Sequence, residues 1–591
     1  MAQTSRPNSE KLGDLIAHRH AQLEDIRNPA ESLMNEALAM TAPGRGIITS
    51  GDIIPGEKYG ADVYDDVGIE SLGIWADGLH SNHASPALNW FKFAFAKKEL
   101  NKVQRLKIWL ESVEEDIKAK LRKSNFYPQF NAFLRDGGSS GTASMWVDNN
   151  DRRGVTDIVV PHPREIFIAR DKFGFVNTVH RLYKMTLAQA RETFGESNLS
   201  DEMRQSLQSN PYTEREFVMG LYRNDDPMAQ HWPALIRRRE YVSAYIMLNG
   251  EQKQLKSGAN DDGTLKKSAE DSLNPIIWGP RRNSDEVYYR SPAMDGIVAI
   301  NRANTFGLLD MEAAQKFVNP SFMAPENLRG KISLVPYGGT YYRGTLAENQ
   351  IQELFTPQLW QLTEEQRRIL GQYVKNYFHV DLFQALFAGG VDDKVLTATQ
   401  YLGRRDARAT LMTPLLGGIN FALTQFFEAY VRSEFKNGRL PAEPDELFEL
   451  ADASFDIEYI GPLAQAQRRL GASLNVESAL EKLAPAAELF GPAITDGVDP
   501  YILADEIMDT SGLPEKIQIP FEKRLAKGKE RAALQRAALE QEQANTDNPE
   551  VAIRQNVAKE ILTMCNRWEG VDIQRYLNSL PRVLKEKEEN E

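Results

Sequence analysis

The segment Tyr288-Tyr289-Arg290-Ser291-Pro292-Ala293-Met294-Asp295 opens the stretch that decides the fold. Ser291 is a typical helix N-cap, and Pro292 suits the first helical position because its φ is already fixed and its missing N–H is not needed there. Apolar residues then recur at roughly helical spacing, at Ile297, Ile300, Leu308, Met311 and Val318. Asn319-Pro320 ends the pattern, which predicts a helix about 40 Å long.

A compact insert and a second helix complete this stretch. Residues 331–335 and 340–343 have strand character, and Pro336-Tyr337-Gly338-Gly339 between them indicates a hairpin-like turn. The second helix is predicted to begin at Thr356-Pro357 or at Thr363, where Gln366 would complete a capping box, and to run to about Asn376. Two long antiparallel helices with a small β tip favour a mechanical role over a catalytic one.

Length and composition limit the classes of protein that fit. The chain has 591 residues, 42% of them hydrophobic and 9% aromatic, which is enough for several cores. Its formal net charge of −13 argues against a protein that grips nucleic acid through a basic surface. Cys565 is the single cysteine, so neither an internal disulfide framework nor a cysteine-based zinc site is expected. The polar start, residues 1–14, has no signal-peptide core.

The uncharged run from Ala409 to Phe427 has the length of a membrane span. Pro414 and Gly417-Gly418 interrupt it, and only about half of it is strongly apolar. We therefore interpret it as part of a buried helix that begins at Thr397, where Gln400 completes another capping box, and continues to Lys436 with a kink.

The remaining chain divides by pattern. Residues 1–136 are predicted to be mainly helical, with helices over Lys11–Met40 and Val103–Lys123 and a loop over Pro43–Gly60. Residues 137–290 are rich in short β-type runs. Five aromatic residues are expected in the core rather than in a binding site: Trp75, Trp90, Phe91, Phe93 and Phe95.

The C-terminal part is again mostly helical. Residues 377–395 indicate a loop, Phe455–Ile460 alternates as a strand, and Lys516–Gln543 is a charged helix followed by a linker at Asn545–Glu550.

The chain contains one motif that imitates an enzyme. Gly137-Gly138-Ser139-Ser140-Gly141 matches G-x-S-x-G, but the nucleophile elbow lies between a strand and a helix, in that order. Here a helical pattern precedes it and a strand follows, so a glycine turn is expected and a serine hydrolase is the weakest alternative. No phosphate-binding loop is present. The only close histidine pairs are His18/His20 and His80/His83, and neither has the H-E-x-x-H form of a zinc site. We expect no catalytic residue, cofactor or metal. Arg237–Arg239 could contact nucleic acid, although a solvated face is favoured.

Four segments resemble the portal, or head-to-tail connector, proteins of short-tailed bacteriophages. The most similar is Asp456–Arg468, where Gly461 and Gln465 replace the family's usual Ser and Arg. The other three are Leu396–Gln400, with Gln400 in place of an acid; Tyr289–Asp295; and Val160-Pro161-His162-Pro163 with Arg170-Asp171 and Gly174 downstream. Together they extend over residues 160–470 in the family's order.

The resemblance implies an α+β portal fold that assembles as a dodecameric ring at one capsid vertex. In that fold, residues 1–290 form the wing (helical 1–136, β-rich 137–290), 291–318 and 357–376 the stem, and 319–356 a small α/β clip. Residues 377–395 become the tunnel loop, 397–440 the kinked wing helix and 441–462 a wing strand. The crown takes 463–591, with a C-terminal barrel left open.

The family resemblance also implies partners and site residues. Double-stranded DNA passes through the ring during packaging and ejection, and the partners are the terminase large subunit, tail adaptor proteins, scaffold and major capsid protein. The expected location is the virion, after assembly in the host cytoplasm. The tunnel loop would present Gly389, Gly390, Asp392, Asp393 and Lys394 to the channel. The clip would contact terminase through Pro336, Tyr337, Gly338, Gly339, Tyr341 and Arg343.

The acidic composition is compatible with a conduit. Twelve copies would carry 12 × (−13) = −156 formal charges, and a net acidic wall would let DNA slide where a basic wall would hold each phosphate. The remaining alternative is another structural virion protein, such as a tail component or a scaffold. A scaffold is not expected to contain the strand-rich centre.

Overall fold

The computed structural model describes 20 stretches or single residues of the chain. They are residues 11–46, 48, 60–97, 100, 103–150, 153–232, 239–249, 254–255, 265–270, 274–318, 322–324, 326, 329, 352–353, 360–387, 413–442, 455–461, 521–546, 553 and 557–560. The chain divides into two compact units, Met1–Glu481 and Lys482–Glu591.

The first unit mixes helices with antiparallel sheets. Its helices are α1 Leu12–Thr41, α2 Val67–His83, α3 Gln104–Lys123, α4 Phe126–Ser140, α5 Leu187–Phe194, α6 Asp201–Ser209, α7 Pro292–Asp295, α8 Ile297–Val318, α9 Trp360–Tyr377, α10 Val380–Phe387 and α11 Thr413–Lys436. In the second unit, the described part is chiefly the charged helix α12, Phe521–Thr546. It confirms the predicted helix there and extends two residues into the predicted linker.

The strands form four sheets in the described residues. They are β1 Phe91–Phe95, β2 Ala143–Asn150, β3 Val155–Val159, β4 Ile166–Arg170, β5 Val176–Thr186, β6 Glu214–Arg223, β7 Tyr241–Asn249, β8 Gln254–Leu255, β9 Lys266–Glu270, β10 Ile276–Trp278, β11 Phe322–Met323, β12 Gln352–Glu353 and β13 Phe455–Tyr459. A six-stranded sheet has the order β4-β5-β6-β7-β8, with β9 also on β7; a three-stranded sheet is β10-β2-β3; and two pairs are β1-β13 and β11-β12.

The largest core joins segments that are far apart in the sequence. β1 pairs antiparallel with β13, so that Phe93 lies opposite Ile457. The predicted helical segment 1–136 therefore contains a strand whose partner is more than 350 residues away, as the pairing register requires. All five aromatic residues expected in the core are buried there. The Phe91 ring packs 4.5 Å from the ring of Phe427 on α11.

The strand-rich segment begins later than predicted. Helix α4 continues to Ser140, and Gly141 ends it with φ of +85°. A Cβ at Gly141 would lie 2.3 Å from the Tyr289 carbonyl oxygen, so glycine is required by both the backbone conformation and the close approach. The predicted glycine turn is thus confined to Gly141, because the preceding residues are held in the last helical turn.

Several other predicted boundaries change. α9 begins at Trp360, so Thr363 lies within the helix rather than at its cap. In the described part of the predicted kinked helix, α11 begins at Thr413 and places Pro414 in its first turn, where proline is tolerated. α6, β9 and β10 were not predicted. Most of the loop at 43–60, the capping box at Thr397 and most of residues 463–591 lie outside the described residues.

The uncharged run at residues 409–427 overlaps α11. Within the part of the chain that the structure describes, none of the helices is long and apolar enough to cross a membrane. Leu416, Ile419 and Leu423 are buried against the core of the first unit. They account for the apolar character of the run through packing inside the protein.

Candidate functional site

The candidate site is the helix pair formed by α8 and α9. We call the surface on which this pair packs, α2 and the preceding residues 62–66, the platform. Ser291 caps the start as expected, since its Oγ accepts a hydrogen bond from the Met294 N–H at 3.0 Å. The helix then breaks at Gly296 and resumes as α8. A Cβ at Gly296 would lie 3.1 Å from the Tyr377 ring at the end of α9, while Asp310 interacts electrostatically with Arg367 near its start. The two helices are therefore antiparallel, as predicted.

Helix α2 forms the platform beneath this pair. Gly68 brings it close to α8, since a Cβ there would lie 3.5 Å from Ile300 and 3.0 Å from the Met40 carbonyl oxygen. Gly78 of α2 lies against the Phe383 ring of α10, since a Cβ at Gly78 would be only 2.5 Å from that ring. The absence of side chains at these two glycines lets the helices approach closely, so the base of the pair is fixed to the core.

Asn304 clamps the middle of α8 to the segment that precedes α2. Its Oδ1 accepts hydrogen bonds from the Tyr64 N–H at 2.6 Å and the Asp65 N–H at 3.2 Å, and its Nδ2 donates to the Asp62 carbonyl oxygen at 2.8 Å. Gly307, one turn later on the same face, makes room for Tyr64. Because its side chain makes hydrogen bonds to three backbone groups, Asn304 fixes the position of α8 relative to residues 62–65.

An ion pair performs the same task for α9. The Arg367 Nε donates to Asp65 Oδ2 at 2.5 Å, and Asp65 Oδ1 accepts from the Val67 N–H at the start of α2. The Asp65 side chain is 5% exposed, whereas that of Arg367 is 40% exposed. The hydrogen bond to Asp65 raises the pKa of Arg367. The buried Asp65 carboxylate therefore links the start of α2 to α9.

The outer face of α8 is exposed along its whole described length. The apolar face predicted from the sequence is only partly buried, because Ile300 is in the core while Met311 is 45% exposed. Opposite the buried face, six exposed side chains follow one another at spacings of four and three residues: Val298, Arg302, Thr305, Leu309, Glu312 and Lys316.

Large hydrophobic side chains are among the exposed residues of the pair. Val298 is 62% exposed, Leu309 44% and Phe317 68%, and on α9 Tyr373 and Tyr377 are 54% and 45% exposed. Single exposed apolar residues are ordinary, but a series along one helix pair indicates an interaction surface.

The predicted tunnel loop is shorter than expected at its start. Residues 380–387 form α10, with Val380, Leu382 and Phe383 buried. His379 joins α9 to α10 with φ of +52°, a conformation that His tolerates better than most residues. The correction follows from the buried Leu382 and Phe383, of which Phe383 packs on α2 at Gly78, so that this part is helix rather than loop.

The site residues named from the sequence lie outside the described residues. These are Gly389, Gly390, Asp392, Asp393 and Lys394 of the tunnel loop, and Pro336, Tyr337, Gly338, Gly339, Tyr341 and Arg343 of the clip. Their roles stay predictions. Asn304 and Asp65 were not predicted as functional positions. The signal available was Asn304 and Gly307, two poor helix formers three residues apart on one face of a helix.

Ser139 is not available for chemistry. It is 0% exposed, and its Oγ donates to the Arg135 carbonyl oxygen at 2.8 Å. A nucleophile must reach its substrate, so this burial removes the basis of the hydrolase alternative. Among the described residues, no cluster of three or more His, Cys, Asp and Glu side chains could hold a metal ion. Arg237 and Arg238 lie outside the described residues, and the neighbouring Trp232 is buried.

The chain is similar to two phage portal proteins over about nine-tenths of its length. Over 534 residues it is 27% identical to the "Probable portal protein" of Bordetella phage BPP-1, covering 89% of this chain and 92% of that protein. Over 538 residues it is 24% identical to the "Portal protein" of Salmonella phage epsilon15, covering 88% of this chain and 91% of that protein.

Solved structures with partial likeness come from gene transfer agent particles. A chain of the neck of an empty particle is 12% identical, with a TM-score of 0.35, over 76% of this chain and 90% of that chain. A chain of the native virion is 11% identical, with a TM-score of 0.33, over 76% and 97% respectively. The sequence profile of the family described as "Bacteriophage head to tail connecting protein" matches residues 14–518. This chain therefore belongs to the bacteriophage head-to-tail connecting proteins.

Proposed function

We propose that this chain is the portal subunit of a short-tailed bacteriophage, a non-catalytic component of the virion at the junction of head and tail. The observation that carries the proposal is the family match over residues 14–518, together with two portal relatives that align with about nine-tenths of the chain. Copies of the subunit form a dodecameric ring at one capsid vertex. The ring conducts double-stranded DNA during packaging and ejection.

The exposed face of the helix pair supports assembly into a ring. A face that is apolar in part and fixed to a rigid platform suits a neighbouring copy, and head-to-tail contacts of one kind close into a ring when the rotation allows. We place the stem at α8 and α9, the clip between them at 319–356, and the tunnel loop after Phe387. The wing takes residues 1–290, 397–440 and 441–462, and the crown takes 463–591, which leaves the option of a C-terminal barrel open.

The partners follow from these positions. In the host cytoplasm during assembly, the clip docks the terminase large subunit, and the tail adaptor proteins replace it after packaging. Scaffold and major capsid protein surround the wing and crown. The tunnel loop, with Gly389, Gly390, Asp392, Asp393 and Lys394, projects into the channel, whose wall is mainly negative.

Electron microscopy of the purified full chain tests the ring. Negative-stain images are expected to show rings with a central hole, and compact monomers at micromolar concentration would overturn the proposal. A three-dimensional reconstruction would also locate the tunnel loop. A loop on the outer rim, or a continuous basic lining of the channel, would contradict the assignment of the stem and tunnel.

Deletion of Ser333–Tyr342 tests the clip. Rings are expected to form normally, while DNA packaging, measured as nuclease-protected DNA in proheads, is lost because terminase has no docking site. Deletion of Gly258–Gly263, a polar glycine-flanked segment outside the clip, is the matched control and is expected to leave packaging intact. Unchanged packaging after the Ser333–Tyr342 deletion would refute the clip assignment.

A further inference from the structure

A cavity of about 520 Å³, open to solvent on one side where Lys266 is exposed, lies in the first unit away from the helix pair. Its walls come from β2 of the three-stranded sheet, from β5, β7 and β9 of the six-stranded sheet, and from the C-terminal half of α11. Its walls are mainly polar, and an open, polar space of this kind between two sheets can hold a small polar ligand. Its volume falls in the range of small-molecule sites and is far too small for a DNA duplex.

The charges of the wall have the opposite sign to those of the whole chain. Four cationic side chains line the cavity, Arg181, Lys266, Arg432 and Lys436, against one carboxylate, Asp148. The chain as a whole carries −13. Like charges repel one another unless counter-charges are present, so the cluster favours an anion.

Two of the four cations are already engaged. Arg181 donates from Nε to Glu165 Oε2 at 3.0 Å, and its guanidinium lies 4.6 Å from the centre of the Tyr183 ring. Lys436 is in the last turn of α11, where a cation compensates the negative end of the helix. Arg432 interacts electrostatically with Glu428 on the same helix. Counting Glu165 and Glu428 as well as Asp148, the wall keeps a formal excess of 4 − 3 = +1. Among the described residues, Arg432 Nη1 is buried without a hydrogen-bond partner, and Lys266 is exposed beside Asp148. These two cations are the ones most available for a ligand.

The neutral side chains of the wall can also contribute to binding an anion. Ser243, Ser268 and Ser433 offer hydroxyl groups, and Trp146 and Tyr245 offer aromatic edges. We infer that this cavity binds a small phosphate-bearing anion with at least two negative charges, held mainly by Arg432 and Lys266. An occupant would connect the two sheets with α11 and would stabilise the wing in which they lie.

Titration calorimetry with pyrophosphate on the purified full chain at low salt tests this inference. The unmodified protein is expected to bind about one pyrophosphate per chain and to release it as salt is added, because exposed charges are screened. Lys266→Met is expected to weaken binding at least tenfold. Lys266 is exposed, so this change costs little packing.

Lys267→Met is the matched control, because the next residue on β9 points to the other face of the strand and does not line the cavity. It is expected to leave the affinity unchanged. Arg432→Met is a second probe, used where circular dichroism shows that it folds. Absence of pyrophosphate binding to the unmodified protein, or equal losses in the Lys266→Met and Lys267→Met proteins, would overturn the inference. Rings are counted by microscopy in the same samples, so failure of the anion site is distinguishable from failure of the portal assignment.

Discussion

Replacing two apolar residues on the outer face of α8, Val298→Glu and Leu309→Glu, is expected to prevent ring assembly. Val298 is 62% exposed and Leu309 44% exposed in the single chain. Full burial of such a side chain stabilises by about 1.5–3 kcal/mol, so burial of the exposed fractions contributes about 1 kcal/mol each. The pair therefore accounts for about 2 kcal/mol per contact, or about 30-fold in the association constant of each contact. Burying two unpaired carboxylates makes the loss larger.

The substitutions are chosen to leave the subunit itself folded. Glutamate is a good helix former, and at position 298 it stands four residues before Arg302, a favourable arrangement for an ion pair within the helix. Tyr212→Glu is the control, because Tyr212 is 77% exposed between α6 and β6, outside the helix pair, and the change adds the same charge there.

Native mass spectrometry and light scattering at matched subunit concentration measure the outcome. The double variant is expected to be monomeric with an unchanged circular dichroism spectrum, and the Tyr212→Glu protein is expected to form rings. Rings of normal size and stability from the double variant would refute the assignment of this face to a subunit contact. Loss of rings in both proteins would show that added charge, rather than the position of the face, is responsible.

Three further predictions concern the stability of the subunit. Gly141→Ala is expected to lower the free energy of unfolding by at least about 2 kcal/mol, since φ of +85° penalises a side chain and the new Cβ would meet the Tyr289 carbonyl oxygen; an unchanged urea midpoint would contradict this. Asn304→Ala is expected to cost about 2 kcal/mol through three lost hydrogen bonds and to increase hydrogen exchange at the amides of residues 64–65; unchanged exchange there would contradict the clamp. Burial lowers the pKa of His162 to about 4, so the unfolded chain binds the proton first and stability is lost as the pH falls from about 6.5 to about 4. The His162→Gln protein is expected to show a shallower fall of the urea midpoint over this interval, and an equal fall in both proteins would exclude His162 as a contributor.

The sequence predicted the helix pair because its signals are local. Ser291-Pro292 caps the start of a helix by its own chemistry, and the apolar spacing that follows needs no distant partner to be recognised. The pairing of β1 with β13 could not be predicted, since nothing within Phe91–Phe95 specifies a partner near residue 457. The extension of α4 through Gly137-Gly138 was missed for a related reason. Glycine favours turns by propensity, but here a Cβ at Gly138 would lie 2.6 Å from Trp75, so tertiary packing requires the glycine inside the helix.

The helix pair α8 and α9 carries almost no net charge. α8 contains two basic and two acidic residues and α9 three basic and two acidic residues, so the pair carries (2 − 2) + (3 − 2) = +1. The remaining residues of the chain then carry −13 − 1 = −14. With α8 and α9 as the proposed stem, a near-neutral helix pair would neither hold the phosphates strongly nor repel them, because net attraction requires an excess of cations facing the duplex. An acidic channel wall therefore has to draw its charge from segments other than α8 and α9. Asp392 and Asp393 of the predicted tunnel loop are the acidic residues that this proposal places in the channel. If they supply it, replacing both by Asn makes ring–DNA binding tighter and more sensitive to salt, whereas the same change at the exposed Asp77 and Asp201 leaves it unchanged.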